Sequence, residues 1–142
     1  MRNIAVMVSG GGTNLQALID AEKAGKIPHG KITLVVASND SAYALKRAEN
    51  NDIETVVVKH KAYENQDAFD KAIVETLHAH NIDMVVLAGY LSILGETVIQ
   101  AYRDRIINIH PSLIPSFCGK GFYGLKVHEA ALARGVKVTG AT

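Results

Sequence analysis

Apolar positions in this chain fall into two rhythms that alternate from the N-terminus onward. Short unbroken runs rich in Val and Ile occur at Ile4–Val8, Ile32–Ala37, Thr55–Val58, Met84–Ala88 and Ile106–Ile109. Runs that are apolar throughout suit strands buried on both faces, as in a parallel sheet. Between them the spacing changes to the helical one. From about Asn65 to His80, the residues Phe69, Ala72, Ile73, Thr76 and Leu77 fall at i, i+3, i+4, i+7 and i+8. Leu15, Leu18 and Ile19 mark a first helix, Ala44, Leu45 and Ala48 a second, and Val127 to Arg134 a late one. This β-α-β-α repetition predicts an α/β fold: a Rossmann-like, doubly wound, mostly parallel sheet with helices on both faces. The last residues, KVTGAT, read as the opening of another strand.

Composition narrows the picture without changing it. The 142 residues fit one domain with a substantial core, and 48% hydrophobic with 20% charged residues is ordinary for a globular protein. A net charge of +1 gives no electrostatic basis for binding nucleic acid or an anionic membrane. No apolar run approaches the length of a bilayer span, and the N-terminal run leads into a glycine turn without a small-residue cleavage site. The single cysteine, Cys118, excludes an internal disulfide and a Cys-based zinc site. A cytoplasmic protein is the expectation.

In folds of this kind ligands gather beyond the carboxyl ends of the strands, and two such places carry chemistry. The first is SGGGTN, Ser9–Asn14, between the first strand and the first helix. Its three glycines allow close backbone approach, Thr13 or Asn14 can cap the helix, and free helix-start amides favour a phosphate. The dinucleotide fingerprint and the Walker A pattern both fail here, so one phosphate suits the turn better than a pyrophosphate. The alternative is a tight turn that binds nothing.

The second place is IINIHPSLIPSF, Ile106–Phe117. Residues two apart on a strand share a face, which puts Asn108 and His110 side by side just before Pro111. An imidazole there can give or take a proton near neutral pH, and an amide can donate to a developing oxyanion. Together they suit a carbonyl substrate passing through a tetrahedral intermediate. The alternative is a buried histidine satisfied by backbone, with Asn108 closing a turn. Gly-x-Ser-x-Gly is absent, HExxH is absent, and His78 and His80 diverge on their helix, so neither a serine nucleophile nor a metal is expected. His29, His60 and His128 read as loop or surface groups.

Taken in order, SGGGTNLQALID, VVLAGYLSIL and NIHPSLIPSF closely resemble the folate-dependent phosphoribosylglycinamide formyltransferase family of purine synthesis. NxHPSLxP alone is also found in other formyl-folate enzymes, and G-x-[ST]-N after the first strand is the glycinamide ribonucleotide version. The resemblance implies transfer of the formyl group of 10-formyltetrahydrofolate, a co-substrate, to the amine of 5-phosphoribosylglycinamide (glycinamide ribonucleotide). It implies that Gly12, Thr13 and Asn14 hold the ribonucleotide phosphate. Leu91, Ser92, Ile93 and Leu94 would line the pterin pocket, although on sequence alone they could equally be a core turn. Asn108 would bind the formyl group and stabilise the oxyanion, and His110 would be the general acid. The partners implied are these two small molecules, with no nucleic acid, membrane or metal.

An Arg that contacts folate in some members falls at Gln66, which cannot supply that charge. The glycine-rich loop Phe117–Gly124 could close over substrate with Lys120 near an anionic group, or be only a surface loop. The acidic partner of the family's histidine lies beyond the T-G-A-T region. Residues 1–142 are therefore expected to be a single formyltransferase domain cut short at its C-terminal end, with little activity by themselves. The competing expectations are a formyl-folate hydrolase, a tRNA formyltransferase, or a non-catalytic phosphate-binding module.

Overall fold

The computed structural model describes all 142 residues. They pack as two compact units, Met1–Ile107 and Asn108–Thr142. In chain order the elements are β1 (Arg2–Val8), α1 (Thr13–Lys23), β2 (Gly30–Ala37), α2 (Tyr43–Glu49), β3 (Glu54–Val57), a 3₁₀ turn (His60–Ala62), α3 (Gln66–Ala79), β4 (Met84–Leu87), α4 (Glu96–Ala101), β5 (Ile106–Asn108) and α5 (Leu125–Arg134).

The strands form one five-stranded sheet in the order β3-β2-β1-β4-β5. β1 pairs in parallel with β2 on one side and β4 on the other, and β2 pairs in parallel with β3. The Val85 amide donates to the Arg105 carbonyl at 2.8 Å, which ties β4 to the approach of β5. Because β1 and β2 lie inside the sheet, both of their faces must be apolar. Alternate residues then feed two separate cores. Ile4, Val6 and Val8 pack with Leu15 and Ile19 of α1 and with Ala44 and Ala48 of α2. Ala5 and Met7 pack on the opposite face with Phe69, Ile73 and Leu77 of α3 and with Val98 and Tyr102 at α4. The expected helices on both faces of a parallel sheet are therefore found. The register slips once: Ile4 pairs with Ile32 but Ala5 with Leu34, so Thr33 is the extra residue of a bulge.

Two observations differ from expectation, and one helix was not anticipated. The strand at Ile106 ends at Asn108 rather than Ile109, so His110 lies in the segment that follows the strand. Within residues 1–142 β5 is the outermost strand, and there Ile107 and Ile109 are 52% and 57% exposed. Finally, α4 carries no sequence prediction. It is six residues long with no side-chain cap, and its Val98–Ala101–Tyr102 spacing is too short a signal to stand out.

In the second unit, α5 starts at Leu125 and buries Val127 and Ala131. Gly135, with φ 75°, ends it by donating to the carbonyls of Ala131 and Leu132. His110 and Thr142 exchange both backbone hydrogen bonds, at 2.7 and 2.9 Å. The KVTGAT segment thus pairs like a strand at one residue without forming the regular strand its sequence suggests.

Candidate active site

The glycine turn after β1 is held from behind by α2. The Ala44 amide donates to the Gly10 carbonyl at 3.1 Å, and Arg47 Nε donates to the Gly11 carbonyl at 2.7 Å. The Gly12 carbonyl accepts from Gln16 in the first turn of α1. With these carbonyls committed inward, the turn offers amides rather than acceptors to anything approaching α1. The three glycines are not equivalent. A Cβ on Gly12 would sit 2.6 Å from Ala44 Cβ, and its φ is +74°, whereas Gly10 and Gly11 have nothing within 4 Å. Gly12 is required by packing and backbone, while the other two present open backbone.

Neither Thr13 nor Asn14 caps α1, contrary to the sequence reading. Gly12 occupies the cap position in the left-handed conformation, and no side-chain cap hydrogen bond forms. Thr13 and Asn14 become the first helical residues, both exposed. The amino end of an eleven-residue helix is left bare, with its partial positive charge facing out.

The ends of β1, β2 and β4 meet at Ser9. Its hydroxyl lies 2.7 Å from the Ser38 hydroxyl and accepts from the Leu91 amide at 2.8 Å. This fixes the start of the turn 91–95. Leu91 and Ile93 are 56% and 75% exposed, so they are not core residues, whereas Leu94 packs against the α3–α4 core. A cleft of about 540 Å³ adjoins this turn, lined among others by Ser38, Asn39, Lys59, His60, Gln66 and Ile93. Gln66 points into the protein frame: its Nε2 donates to Asp70 Oδ1 at 2.7 Å and to the Ile93 carbonyl at 2.9 Å. Asp70, only 2% exposed, also accepts from the Gly95 amide at 3.0 Å. Beside them, burial pushes the Tyr90 hydroxyl up to about 12, so it stays protonated.

Asn108 is exposed at the end of β5. His110, two residues on, is half-buried, and its Nε2 lies 2.8 Å from the Phe117 carbonyl. A carbonyl only accepts, so Nε2 carries a hydrogen and Nδ1 is the nitrogen left to exchange a proton. Sequence reasoning missed Phe117. Its φ of +51° is rare for a bulky residue, and its carbonyl also lies 3.4 Å from the buried Ser112 hydroxyl. Nothing in the local sequence marks that backbone turn. Lys120 is exposed in the loop that follows, Cys118 Sγ contacts the Pro115 carbonyl at 3.3 Å, and His128 is exposed on α5.

The chain belongs to the formyl transferase family, whose profile matches residues 2–142. Its relatives within that family include proteins named phosphoribosylglycinamide formyltransferase. The chloroplastic enzyme of Vigna unguiculata is 38% identical over 99% of this chain and 45% of its own length. The Bacillus subtilis enzyme is 39% identical over 100% of this chain and 70% of its own. The crystal structure of glycinamide ribonucleotide transformylase 1 from Symbiobacterium toebii superposes with a TM-score of 0.89 at 41% identity, covering 100% of this chain and 64% of that one. The chain thus spans less than half of the Vigna relative and about two thirds of the bacterial ones. No helix is long and apolar enough to cross a membrane.

Proposed function

We propose that the protein carrying this chain transfers the formyl group of 10-formyltetrahydrofolate to the amine of glycinamide ribonucleotide, as a cytoplasmic enzyme of purine synthesis. The observation that carries this reading is the bare amino end of α1 behind the glycine turn, whose carbonyls are all committed elsewhere. A phosphorylated substrate needs such a donor set. The names of the relatives in Vigna unguiculata and Bacillus subtilis support the same substrate.

In this reading Gly12, Thr13 and Asn14 hold the phosphate. The exposed apolar side chains of Leu91 and Ile93, with Ser92 and Leu94, form the wall for the pterin. The substrate amine attacks the formyl carbon and forms a new C–N bond. Asn108 donates to the oxyanion that develops. His110 moves the proton from the attacking amine to the folate nitrogen through Nδ1, while Nε2 stays hydrogen-bonded to Phe117. The C–N10 bond then breaks, releasing tetrahydrofolate and the formylated amide. Residues 1–142 act as part of a single formyltransferase domain, with two small-molecule substrates and no nucleic-acid partner or metal.

The test is turnover of the intact natural protein with both substrates. Formylated ribonucleotide must appear in step with tetrahydrofolate. Release of formate without ribonucleotide would indicate a hydrolase instead, and transfer to a charged tRNA would indicate the tRNA enzyme.

A further inference from the structure

Gln66 stands where a direct ligand contact is expected from the resemblance, yet both of its donor hydrogens are committed within the protein. Its two Nε2 hydrogens go to Asp70 Oδ1 at 2.7 Å and the Ile93 carbonyl at 2.9 Å. Its Oε1 lies 3.0 Å from His60 Nε2. Because the amide nitrogen is committed to two acceptors, Oε1 must accept, and His60 must carry its hydrogen on Nε2. Asp70 is the one buried acidic residue in the protein, and a buried carboxylate is kept only where donors meet it. Its donors are Gln66, one turn earlier on α3, and the Gly95 amide at 3.0 Å. A Cβ at Gly95 would run into Asp70 Oδ2, so a side chain there would push the carboxylate out of its place.

We propose that Gln66 and Asp70 form a positioning clamp for the turn at residues 91–95, holding the carbonyl of Ile93 and the amide of Gly95 so that the apolar side chains between Leu91 and Leu94 stand ready for the folate. Two backbone points, two residues apart, are fixed to one helix. The side chain of Ile93 meanwhile remains 75% exposed on a backbone that is held. Pre-ordering of this kind raises affinity by removing the ordering cost from the binding step. Gln66 serves the folate through the turn and does not touch it.

The inference rests on the formyltransferase reading, and the experiment separates the two. In the intact protein, Gln66→Met preserves side-chain length and removes every polar partner. It should raise KM for 10-formyltetrahydrofolate, and weaken tetrahydrofolate binding measured calorimetrically, by about tenfold, the order expected for two lost hydrogen bonds. KM for the ribonucleotide and kcat should stay within about twofold, a split that general loosening of the fold would not produce. Asp70→Ala, which removes the acceptor of both the Gln66 and the Gly95 bonds, should move the same parameter in the same direction. If the parent enzyme transfers formyl groups but Gln66→Met leaves the folate KM unchanged, or raises both KM values together, the clamp is wrong and the function stands. If the parent neither transfers formyl groups nor binds tetrahydrofolate, the functional reading fails and the clamp with it.

Discussion

Replacing Gly12 by alanine should damage the protein far more than the same change at Gly11, one residue away. At Gly12 the new methyl group would lie 2.6 Å from Ala44 Cβ and 2.8 Å from Ala44 Cα, on a backbone with φ +74°. Holding an alanine in the left-handed region costs about 1 kcal/mol or somewhat more. Forcing a methyl into a packed contact adds about 1–3 kcal/mol. The sum, about 2–4 kcal/mol, corresponds to a fall in Tm on the order of 10 °C for a domain of this size. At Gly11 an added Cβ has nothing within 4 Å, so stability should stay within about 0.5 kcal/mol of the parent. Thermal melts by circular dichroism measure both. A third variant divides the two causes: Ala44→Gly in the Gly12→Ala background removes the contact with Ala44 Cβ but leaves Ala44 Cα and the backbone strain. It should therefore recover part of the loss and not all of it. Equal melting temperatures for Gly11→Ala and Gly12→Ala would refute the argument that α2 reads the glycine at position 12.

Other expected outcomes follow from single contacts. Asn108→Ala and His110→Ala should each lower kcat by about a hundredfold or more while substrate affinities change much less; near-normal turnover would remove both from the chemistry. Asn65 caps α3 by accepting from the Ala68 amide at 2.9 Å, so Asn65→Ala should cost about 1 kcal/mol and lower Tm by a few degrees. His80 is held above its ordinary 6.5 chiefly by its hydrogen bond to the Thr76 carbonyl, with Glu54 adding to it. A raised folded value stabilises the charged form: the contribution is full below pH 6.5 and fades as pH rises through the folded value. Denaturant melts of His80→Gln should show a deficit at pH 6, below about 1 kcal/mol for so accessible a pair, that shrinks by pH 8.5; a deficit that grows with pH would reverse the assignment.

The inner strands were legible because burial on both faces leaves a mark in the local sequence. Ala5, Val6, Met7 and Val8 are all fully buried, and no polar residue interrupts them. The exposure of Ile107 and Ile109 was not legible, because within residues 1–142 β5 has a partner strand on one side only, and strand order is not written in a local run. The same limit applied at the glycine turn. SGGGTN announces a phosphate-suited bend, but Gly12 differs from Gly11 only through Ala44, on another helix. The cap was misread because Thr13 and Asn14 are good capping residues by type, while the turn places Gly12 at that position. Asn108 and His110 stand out in the sequence as a pair, yet which ring nitrogen of His110 is left free depends on the unusual backbone at Phe117. Gln66 could be recognised as a departure, while its role depends on Asp70, Ile93 and Gly95 meeting around it.

The central place of β1 has a consequence for how the chain is made. Of the five strands β1 is made first, yet one of its two neighbours is β4. The Ser9 hydroxyl waits for an amide 82 residues later in the chain. Until β4 is synthesised, β1 and β2 can pair with each other, but Ala5 and Met7 have no α3 or α4 to cover them, and one edge of β1 stays open. An open edge flanked by uncovered apolar side chains invites pairing with a neighbouring nascent chain. Slowing translation between α2 and β4 should therefore lower the yield of soluble protein more than the same delay placed after β4.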